Sequence, residues 1–234
     1  VPSGYPVEMD QAERVERFLV ERYPRARISI VAGSTARGER THTSDIDLLL
    51  IDDDLFADDA QASEAATFEF EGETFEVFAY TAAGFDTWAN RGIAQHRPVI
   101  VHMLVEGVPV RSGPGLDDLR ARWGAVLAAG PTVEDRESRF RRYVITDLLD
   151  DLGDATDPLE QRVVAALLFE RMAELMLLAD GQWIGSGKWL PRRLRAWSPE
   201  RAEQLSAPLL AGDIPGFAAR VSAELELAGG RVQA

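Results

Sequence analysis

The sequence predicts an α/β domain followed by an all-helical domain. Up to about residue 115, short runs rich in β-branched residues alternate with segments of helical period. From Leu116 onward this strand-like alternation disappears, and long stretches with helical period take its place. Gly130-Pro131 interrupts those stretches and is a natural helix stop. We therefore predict two domains, at 1–130 and 131–234.

The elements of the first domain follow from local patterns. The first helix carries apolar residues at three-and-four spacing and ends at Tyr23-Pro24. Residues 27–32 and 45–51 are short apolar runs that predict two buried strands, and the polar, glycine-bearing segment between them predicts a loop or a short helix. The remaining elements are a hairpin at 67–80 that turns at Gly72, a helix at 85–95, and one or two strands at 98–110.

The second half of the chain is predicted to be helical throughout. Neither an internal repeat nor a low-complexity tract interrupts it. The predicted helices are 116–129, 133–152, 158–179, 189–197, 198–210 and 214–228.

Composition excludes several classes of protein. The 234 residues are 46% hydrophobic and 27% charged, as in an ordinary globular protein. No apolar run approaches the roughly 18 residues of a membrane-spanning helix. The N-terminus lacks the charged start and apolar middle of a secretory signal. We therefore expect a cytoplasmic protein without membrane contact.

Charge and cysteine content narrow the chemistry further. The chain has no cysteine, which rules out disulfides, thiolate nucleophiles and zinc-thiolate sites. Its net charge of −14 repels polyanions, so nucleic acid is a less suitable partner than a small or cationic molecule. Of 25 basic residues, 24 are arginines, and the single lysine is Lys188.

Two carboxylates share one face of the second predicted strand. Asp45 and Asp47 are two residues apart, so their side chains leave the same face about 6.6 Å apart along the strand. Ile46 and Leu48 then line the opposite face, and their burial fixes the register. Such close carboxylates repel each other, and a divalent cation is the simplest way to neutralise their charge. Hard oxygen ligands favour magnesium or manganese.

A third acid lies on the later hairpin. Glu76 replaces an apolar residue in a strand whose neighbouring side chains, Phe75 and Val77, face the other way. A carboxylate from an adjacent strand can complete a two-metal site for phosphoryl displacement.

A glycine-serine pair ends the first strand. Gly33 permits close approach of the backbone to another group, and Ser34 adds a hydroxyl donor. If a helix begins there, its free N–H groups form an anion site for a triphosphate. Arg37, one helical turn beyond Ser34, would point to the same place.

These residues together resemble a known signature. Gly33-Ser34, then Asp45-Ile46-Asp47 after ten residues, then an apolar-Glu-apolar strand at Glu76 look like the nucleotidyltransferase superfamily with the polymerase-β-like fold. The stretch 33–51 is similar to its minimal and antibiotic-modifying members. The helical half is similar in layout to the C-terminal domains of kanamycin-type enzymes.

The resemblance implies both an architecture and an activity. It implies a catalytic domain with a mixed sheet, followed by a helical domain for the acceptor. The reaction would move a nucleoside monophosphate from an NTP to an acceptor hydroxyl and release pyrophosphate. Asp45 and Asp47 would hold two magnesium ions, and Glu76 would hold the ion that activates the acceptor. A homodimer is compatible with this picture, since sites in similar enzymes can be shared across a dimer.

Lys188 is a candidate ligand of the triphosphate. It ends Gly185-Ser186-Gly187-Lys188, which is not a P-loop because Gln182 and Trp189 stand where that motif needs a glycine and a hydroxyl residue. A lone lysine in an arginine-rich chain suggests that a compact ammonium is wanted there. In similar transferases a basic residue of the second domain reaches the triphosphate.

Asp147 is a candidate for the general base that takes the acceptor proton. Together with Asp150 and Asp151 it forms one acidic edge of a predicted helix, which suits a cationic acceptor such as an aminoglycoside. Such an edge also often simply faces water.

Simpler interpretations apply to other polar residues. Glu76 also suits the exposed face of a hairpin, and Arg37 suits a solvated loop. Residues 52–54 are predicted as a solvated acidic loop. The histidines are predicted to be structural or surface residues, namely His42, His96 and His102.

The predicted function is magnesium-dependent nucleotidyl transfer to a small-molecule hydroxyl. Two alternatives stay open at this point. The acceptor could be RNA or a protein, as for minimal members of the superfamily. The domain could also be a non-catalytic nucleotide-binding module of the same fold.

Overall fold

The structure is a computed structural model that describes residues 5–41 and 44–233, with side chains from Gln11 onward. The chain divides into two compact units, Val1–Ala129 and Gly130–Ala234, which are described separately. Within the described residues, no helix is both long and apolar enough to cross a membrane. His42 lies outside the described residues.

The first unit combines five strands with five helices among its described residues. The elements in chain order are α1 (Tyr5–Arg22), β1 (Ile28–Val31), α2 (Gly33–Ala36), β2 (Ile46–Ile51), β3 (Ser63–Phe70), β4 (Glu73–Tyr80), α3 (Ala82–Ala94), α4 (Val99–Glu106), β5 (Val108–Ser112) and α5 (Leu116–Ala129).

The strands form one mixed sheet in the order β3-β4-β2-β1-β5. β2 and β4 are parallel neighbours, whereas β1 pairs antiparallel with β2 and with β5. β3 and β4 form an antiparallel hairpin that turns at Glu71 and Gly72, both with positive φ. The expected mixed sheet is thereby confirmed.

Each face of the sheet has its own apolar core. On one face, α1 packs Val15, Phe18 and Leu19 against alternate residues of β2 and β4. The rings of Phe18 and Phe75 stack with their centroids 4.3 Å apart. On the other face, Leu49 and side chains of α3, α4 and α5 form the second core. Strands covered on both sides have little freedom to slip in register, because a slip would exchange the two faces.

The second unit is helical throughout its described residues. Its elements are α6 (Asp135–Asp154), α7 (Pro158–Ala179), α8 (Trp189–Trp197), α9 (Pro199–Leu210) and α10 (Ile214–Leu227). Asp157 begins α7 as an N-cap and accepts hydrogen bonds from the backbone N–H groups of Leu159 and Glu160 at 2.8 and 3.0 Å. The predicted α/β fold followed by an all-helical region is confirmed.

Buried ion pairs tie the helices of this unit together. Glu174 on α7 is 1% exposed and accepts hydrogen bonds from Arg141 and Arg171, each at 3.2 Å. Glu224 on α10 is equally buried and pairs with two further arginines, Arg201 and Arg220. Removing one partner of such a buried ion pair leaves an uncompensated charge in the interior and lowers the free energy of unfolding by several kcal/mol.

The prediction of strands over 98–110 is wrong for most of that segment. Val99–Glu106 is the helix α4, and only Val108–Ser112 is a strand. Helical spacing turns Val101 and Leu104 into the core, which outweighs the β preference of the branched residues. Arg120 stabilises the end of α4, because its guanidinium donates to the carbonyls of Leu104 and Gly107 at 2.9 and 2.6 Å.

The prediction of a solvated acidic loop is wrong for Asp52. Its side chain is only 1% exposed, and its carboxylate accepts hydrogen bonds from Arg27 and from the backbone N–H of Asp54. Asp53 and Asp54 are exposed, as expected. Among the histidines, His96 is buried just after α3, and His102 contacts Glu106 on α4.

Candidate functional site

Asp47 and Glu76 lie side by side in the sheet. They are register partners on the parallel strands β2 and β4, so their side chains leave the same face at the same level. Both residues are partly exposed, whereas Ile46 and Phe75 beside them are completely buried on the opposite face. The apolar core therefore fixes which face presents the two carboxylates.

The backbone at Gly33 lies directly against the Asp47 carboxylate. A Cβ atom added at Gly33 would lie 1.8 Å from Oδ2 of Asp47, and the residue has a φ of +64°. The backbone N–H of Ala32 donates to the carbonyl of Asp47 at 2.9 Å, which ties the bend to β2. Glycine is required here by two independent constraints, the close approach and the left-handed backbone conformation.

Asp45 and Ser34 flank this pair. Asp45 is exposed and immediately precedes β2, and its carbonyl accepts a hydrogen bond from the Thr35 hydroxyl at 3.5 Å. Ser34 is partly exposed in α2. The segment predicted as a loop or a short helix contains α2, which spans only four residues.

The donor set suits a hard divalent cation. Within residues 5–41 and 44–233, no three carboxylate or imidazole side chains converge into a ready metal cage. Asp47 and Glu76 nevertheless supply two adjacent carboxylates, and the missing side chain of Gly33 allows its backbone to lie against the Asp47 carboxylate. Magnesium usually binds through one or two carboxylates together with waters and substrate phosphates, so this arrangement fits it.

Arg37 and Arg40 hold the loop between α2 and β2. The Arg37 guanidinium donates to the Glu39 carboxylate at 3.0 Å. Arg40 bonds the carbonyl of Ser44 at 3.0 Å and pairs with Glu73 at the start of β4. The hydrogen bond from Arg40 lowers the pKa of Glu73, against the smaller opposing effect of burial.

Arg40 was not predicted from the sequence. It anchors the segment that leads directly into Asp45, so it positions the site without belonging to it. Its partner is 33 residues away, and no local pattern signals such a pair.

Lys188 and Asp147 belong to the helical unit. Lys188 is exposed at the N-cap of α8, directly after Gly187 with its φ of +51°. Asp147 is exposed on α6, and its neighbour Asp150 pairs with Arg231. The structure thus brings Gly33, Asp47 and Glu76 together within the sheet unit, while these two residues are candidates from the second unit.

A family model matches the part of the chain that carries this geometry. Residues 12–83 match the family model described as a nucleotidyltransferase domain, and this range contains the sheet-borne candidate residues. A search of curated proteins gives no significant match. Among solved structures, a nucleotidyltransferase-like protein from Exiguobacterium sibiricum 255-15 is similar, with 18% identity and a TM-score of 0.44 over 94% of this chain and 77% of that chain. The family match confirms the resemblance drawn from the motifs.

Proposed function

We propose, from the premise that residues 12–83 form a nucleotidyltransferase domain, that the protein uses magnesium to transfer a nucleoside monophosphate to a small-molecule hydroxyl. Domains of this kind move a nucleoside monophosphate from an NTP. The observation that carries the proposal is the pairing of Asp47 with Glu76, with Gly33 packed against the Asp47 carboxylate. We further propose a cytoplasmic location, where NTPs and magnesium occur together.

The metal ligands in this proposal are Asp45, Asp47 and Glu76. Two magnesium ions would neutralise charge on the triphosphate and favour both attack and departure at phosphorus. The parallel strands hold Asp47 and Glu76 side by side, and Asp45 immediately precedes β2. A side chain at position 33 would collide with the Asp47 carboxylate, so glycine there is needed for that carboxylate to keep its place.

The triphosphate is proposed to lie along α2. The Ser34 hydroxyl and the N–H groups of the first turn would donate to its oxygens. The Arg37 guanidinium would leave the Glu39 carboxylate and bind a phosphate oxygen instead. Lys188, a residue of the helical unit, would supply a second cation. A Lys188→Ala variant with unchanged KM for NTP and unchanged kcat would remove Lys188 from this set.

The reaction is an in-line displacement at the α-phosphorus. The acceptor oxygen forms a bond to that phosphorus while the bond to the bridging oxygen of the β-phosphate breaks, and pyrophosphate leaves with the bonding electrons. The acceptor proton passes to a general base, for which we propose Asp147. Most of the rate enhancement comes from positioning and charge neutralisation.

The acceptor is proposed to be a small cationic polyol of aminoglycoside type. The net charge of −14 disfavours polyanionic acceptors, and α6 exposes Asp147 and Asp151 on its surface. Carboxylates of this kind are suitable partners for ammonium groups.

The test is a screen for pyrophosphate release. The four NTPs are combined with aminoglycosides, neutral polyols and RNA, with magnesium present or chelated. The expected result is release that needs magnesium and a cationic polyol, and that is absent in Asp47→Asn and Glu76→Gln. Release with RNA alone would replace the small-molecule acceptor. NTP binding by calorimetry without turnover on any acceptor would favour the non-catalytic module.

A further inference from the structure

Helix α6 presents an unusual outer face. Its buried side consists of Ile145, Leu149 and Leu152, which pack into the core of the helical unit. The opposite side exposes a stripe at spacings of four, three and four residues, formed by Arg136, Phe140, Tyr143 and Asp147. The Phe140 side chain is 62% exposed and that of Tyr143 38%. Two large aromatic side chains therefore face outward on one stripe of a single helix.

The charged ends of this stripe are not used within the described chain. Among residues 5–41 and 44–233, neither Arg136 nor Asp147 forms an ion pair or a side-chain hydrogen bond. The aromatic rings contact each other, with centroids 6.5 Å apart and planes 26° from parallel. By contrast, Arg141 on the inner side of α6 is committed to the buried Glu174. The stripe combines exposed aromatic side chains with charged ones, as protein–protein interfaces do. Within the described residues its charged members bond to no other side chain.

The four positions are symmetric about a point midway between residues 141 and 142. A reversal of the helix about this point exchanges Arg136 with Asp147 and Phe140 with Tyr143. The stripe is therefore complementary to itself in antiparallel orientation. In parallel orientation it would bring Arg136 onto Arg136 and Asp147 onto Asp147, and both contacts would be repulsive.

We propose that the outer face of α6 is a two-fold interface between two copies of this chain. In the dimer Arg136 pairs with Asp147 of the partner subunit, and Phe140 packs on Tyr143 of the partner subunit. The spacing of the stripe is that of positions d, a, d and a of a coiled coil, in which antiparallel helices pair a with d. A two-fold axis makes every contact occur twice, so a small set of residues is sufficient to define the register.

The length of the stripe on α6 sets the expected affinity of the dimer. The stripe spans eleven residue steps, about 16 Å of helix, which places the contact at the low end of specific interfaces. The dimer is therefore weak and dissociates on dilution. Its two aromatic pairs supply most of the apolar contact, and its two ion pairs select the antiparallel register.

The test is a charge exchange followed by sedimentation velocity at increasing protein concentration. Wild type shows a concentration-dependent dimer. Arg136→Asp or Asp147→Arg alone places two repulsive contacts in each dimer and raises the dissociation constant by about tenfold or more. The double variant Arg136→Asp/Asp147→Arg restores opposite charges and returns the dissociation constant to near the wild-type value.

A matched control uses another helix of the same unit. Glu203→Arg makes the same change of charge at an exposed position of α9, and it leaves the dissociation constant unchanged. A wild type that stays monomeric at all concentrations would overturn the proposal, and so would a double variant no better than the single ones. Altered acceptor KM in a strictly monomeric Phe140→Ser variant would assign the face to the acceptor instead.

This test is independent of the proposed transfer reaction. Asp147 is also the candidate base, and the double variant separates the two roles because it restores the ion pair without restoring a carboxylate at position 147. A recovered dimer without recovered turnover supports both assignments. A recovered dimer with recovered turnover supports the interface and removes Asp147 as the base.

Discussion

Strand β2 carries carboxylates near both of its ends, and their surroundings differ sharply. Just beyond the C-terminal end, Asp52 accepts hydrogen bonds from the backbone N–H and guanidinium of Arg27 at 2.7 to 2.9 Å. Near the N-terminal end, the register partner of Asp47 is another carboxylate, Glu76, and Gly33 brings open backbone against it. At the first end the carboxylate is bonded to a guanidinium, and at the other two carboxylates are register partners on parallel strands.

The difference indicates what each end is for. A carboxylate buried against a fixed guanidinium stabilises the fold, because its charge is neutralised in the folded state only. Two neighbouring carboxylates on parallel strands repel each other, and a divalent cation that binds both would relieve that repulsion. We therefore expect substitutions at Asp52 to act on stability and substitutions at Asp47 to act on turnover.

The largest expected effect is on turnover in Asp47→Asn. Loss of a metal-binding carboxylate should lower kcat/KM for NTP by about 10³-fold or more, which corresponds to several kcal/mol of transition-state stabilisation. The free energy of unfolding should change by less than about 1 kcal/mol, because the side chain is partly exposed and its neighbour is a like charge. Steady-state kinetics and urea unfolding measure the two quantities. Asp52→Asn is the matched control at the other end of the strand, and equal kinetic losses in both variants would contradict the comparison.

The next effect is expected at Gly33. Gly33→Ala places a methyl group against Oδ2 of Asp47 and also strains a backbone with a φ of +64°. The free energy of unfolding should fall by about 2–3 kcal/mol, and turnover should be lost with it.

Gly38 provides the control for this substitution. It lies in the same loop with a φ of +67°, but a Cβ atom there would meet nothing within 4 Å. Gly38→Ala should therefore cost only about 1 kcal/mol, the backbone part of the penalty, and should retain turnover. Equal losses in both variants would mean that the contact with Asp47 is unimportant.

The positions of Asp47 and Gly33 could be predicted from the sequence because they depend on residues close to them in the chain. Burial of Ile46 and Leu48 fixes the face of β2 that presents Asp47. Gly33-Ser34 follows β1 after a single residue, so its position relative to the sheet was also constrained. The register that brings Glu76 beside Asp47 follows from the hairpin crossing back next to β2.

The residues that support the site could not be predicted in the same way. Arg40 meets Glu73 and Arg27 meets Asp52 across separations of 33 and 25 residues, and only the assembled sheet brings them together. The same holds for α4, whose β-branched sequence favours a strand until packing against the sheet decides otherwise.

A smaller effect is expected on stability in Asp52→Asn. The amide keeps the shape of the carboxylate but weakens its charged hydrogen bonds with Arg27, so the free energy of unfolding should fall by about 2 kcal/mol. Turnover at a temperature well below the unfolding transition should stay within a few-fold of wild type. Arg27→Lys tests the same contact from the other side and should show a similar loss, since a lysine cannot reproduce the forked contact.

The smallest effect is expected in the pH dependence of stability. Hydrogen bonds from Arg40 lower the pKa of Glu73 below its ordinary value of 4.5. Burial is the largest single influence on the pKa of Asp52 and raises it, but the contacts with Arg27 and the backbone N–H of Asp54 together outweigh burial and lower this pKa below 3.8. Both groups bind more protons in the unfolded state than in the folded state as the pH falls. Their stabilisation is therefore complete above these ordinary values and is lost progressively below them. In wild type, the free energy of unfolding measured in urea should fall between neutral and acidic pH. The fall should be smaller in Asp52→Asn, and in Glu73→Gln it should be smaller by at most about 1 kcal/mol.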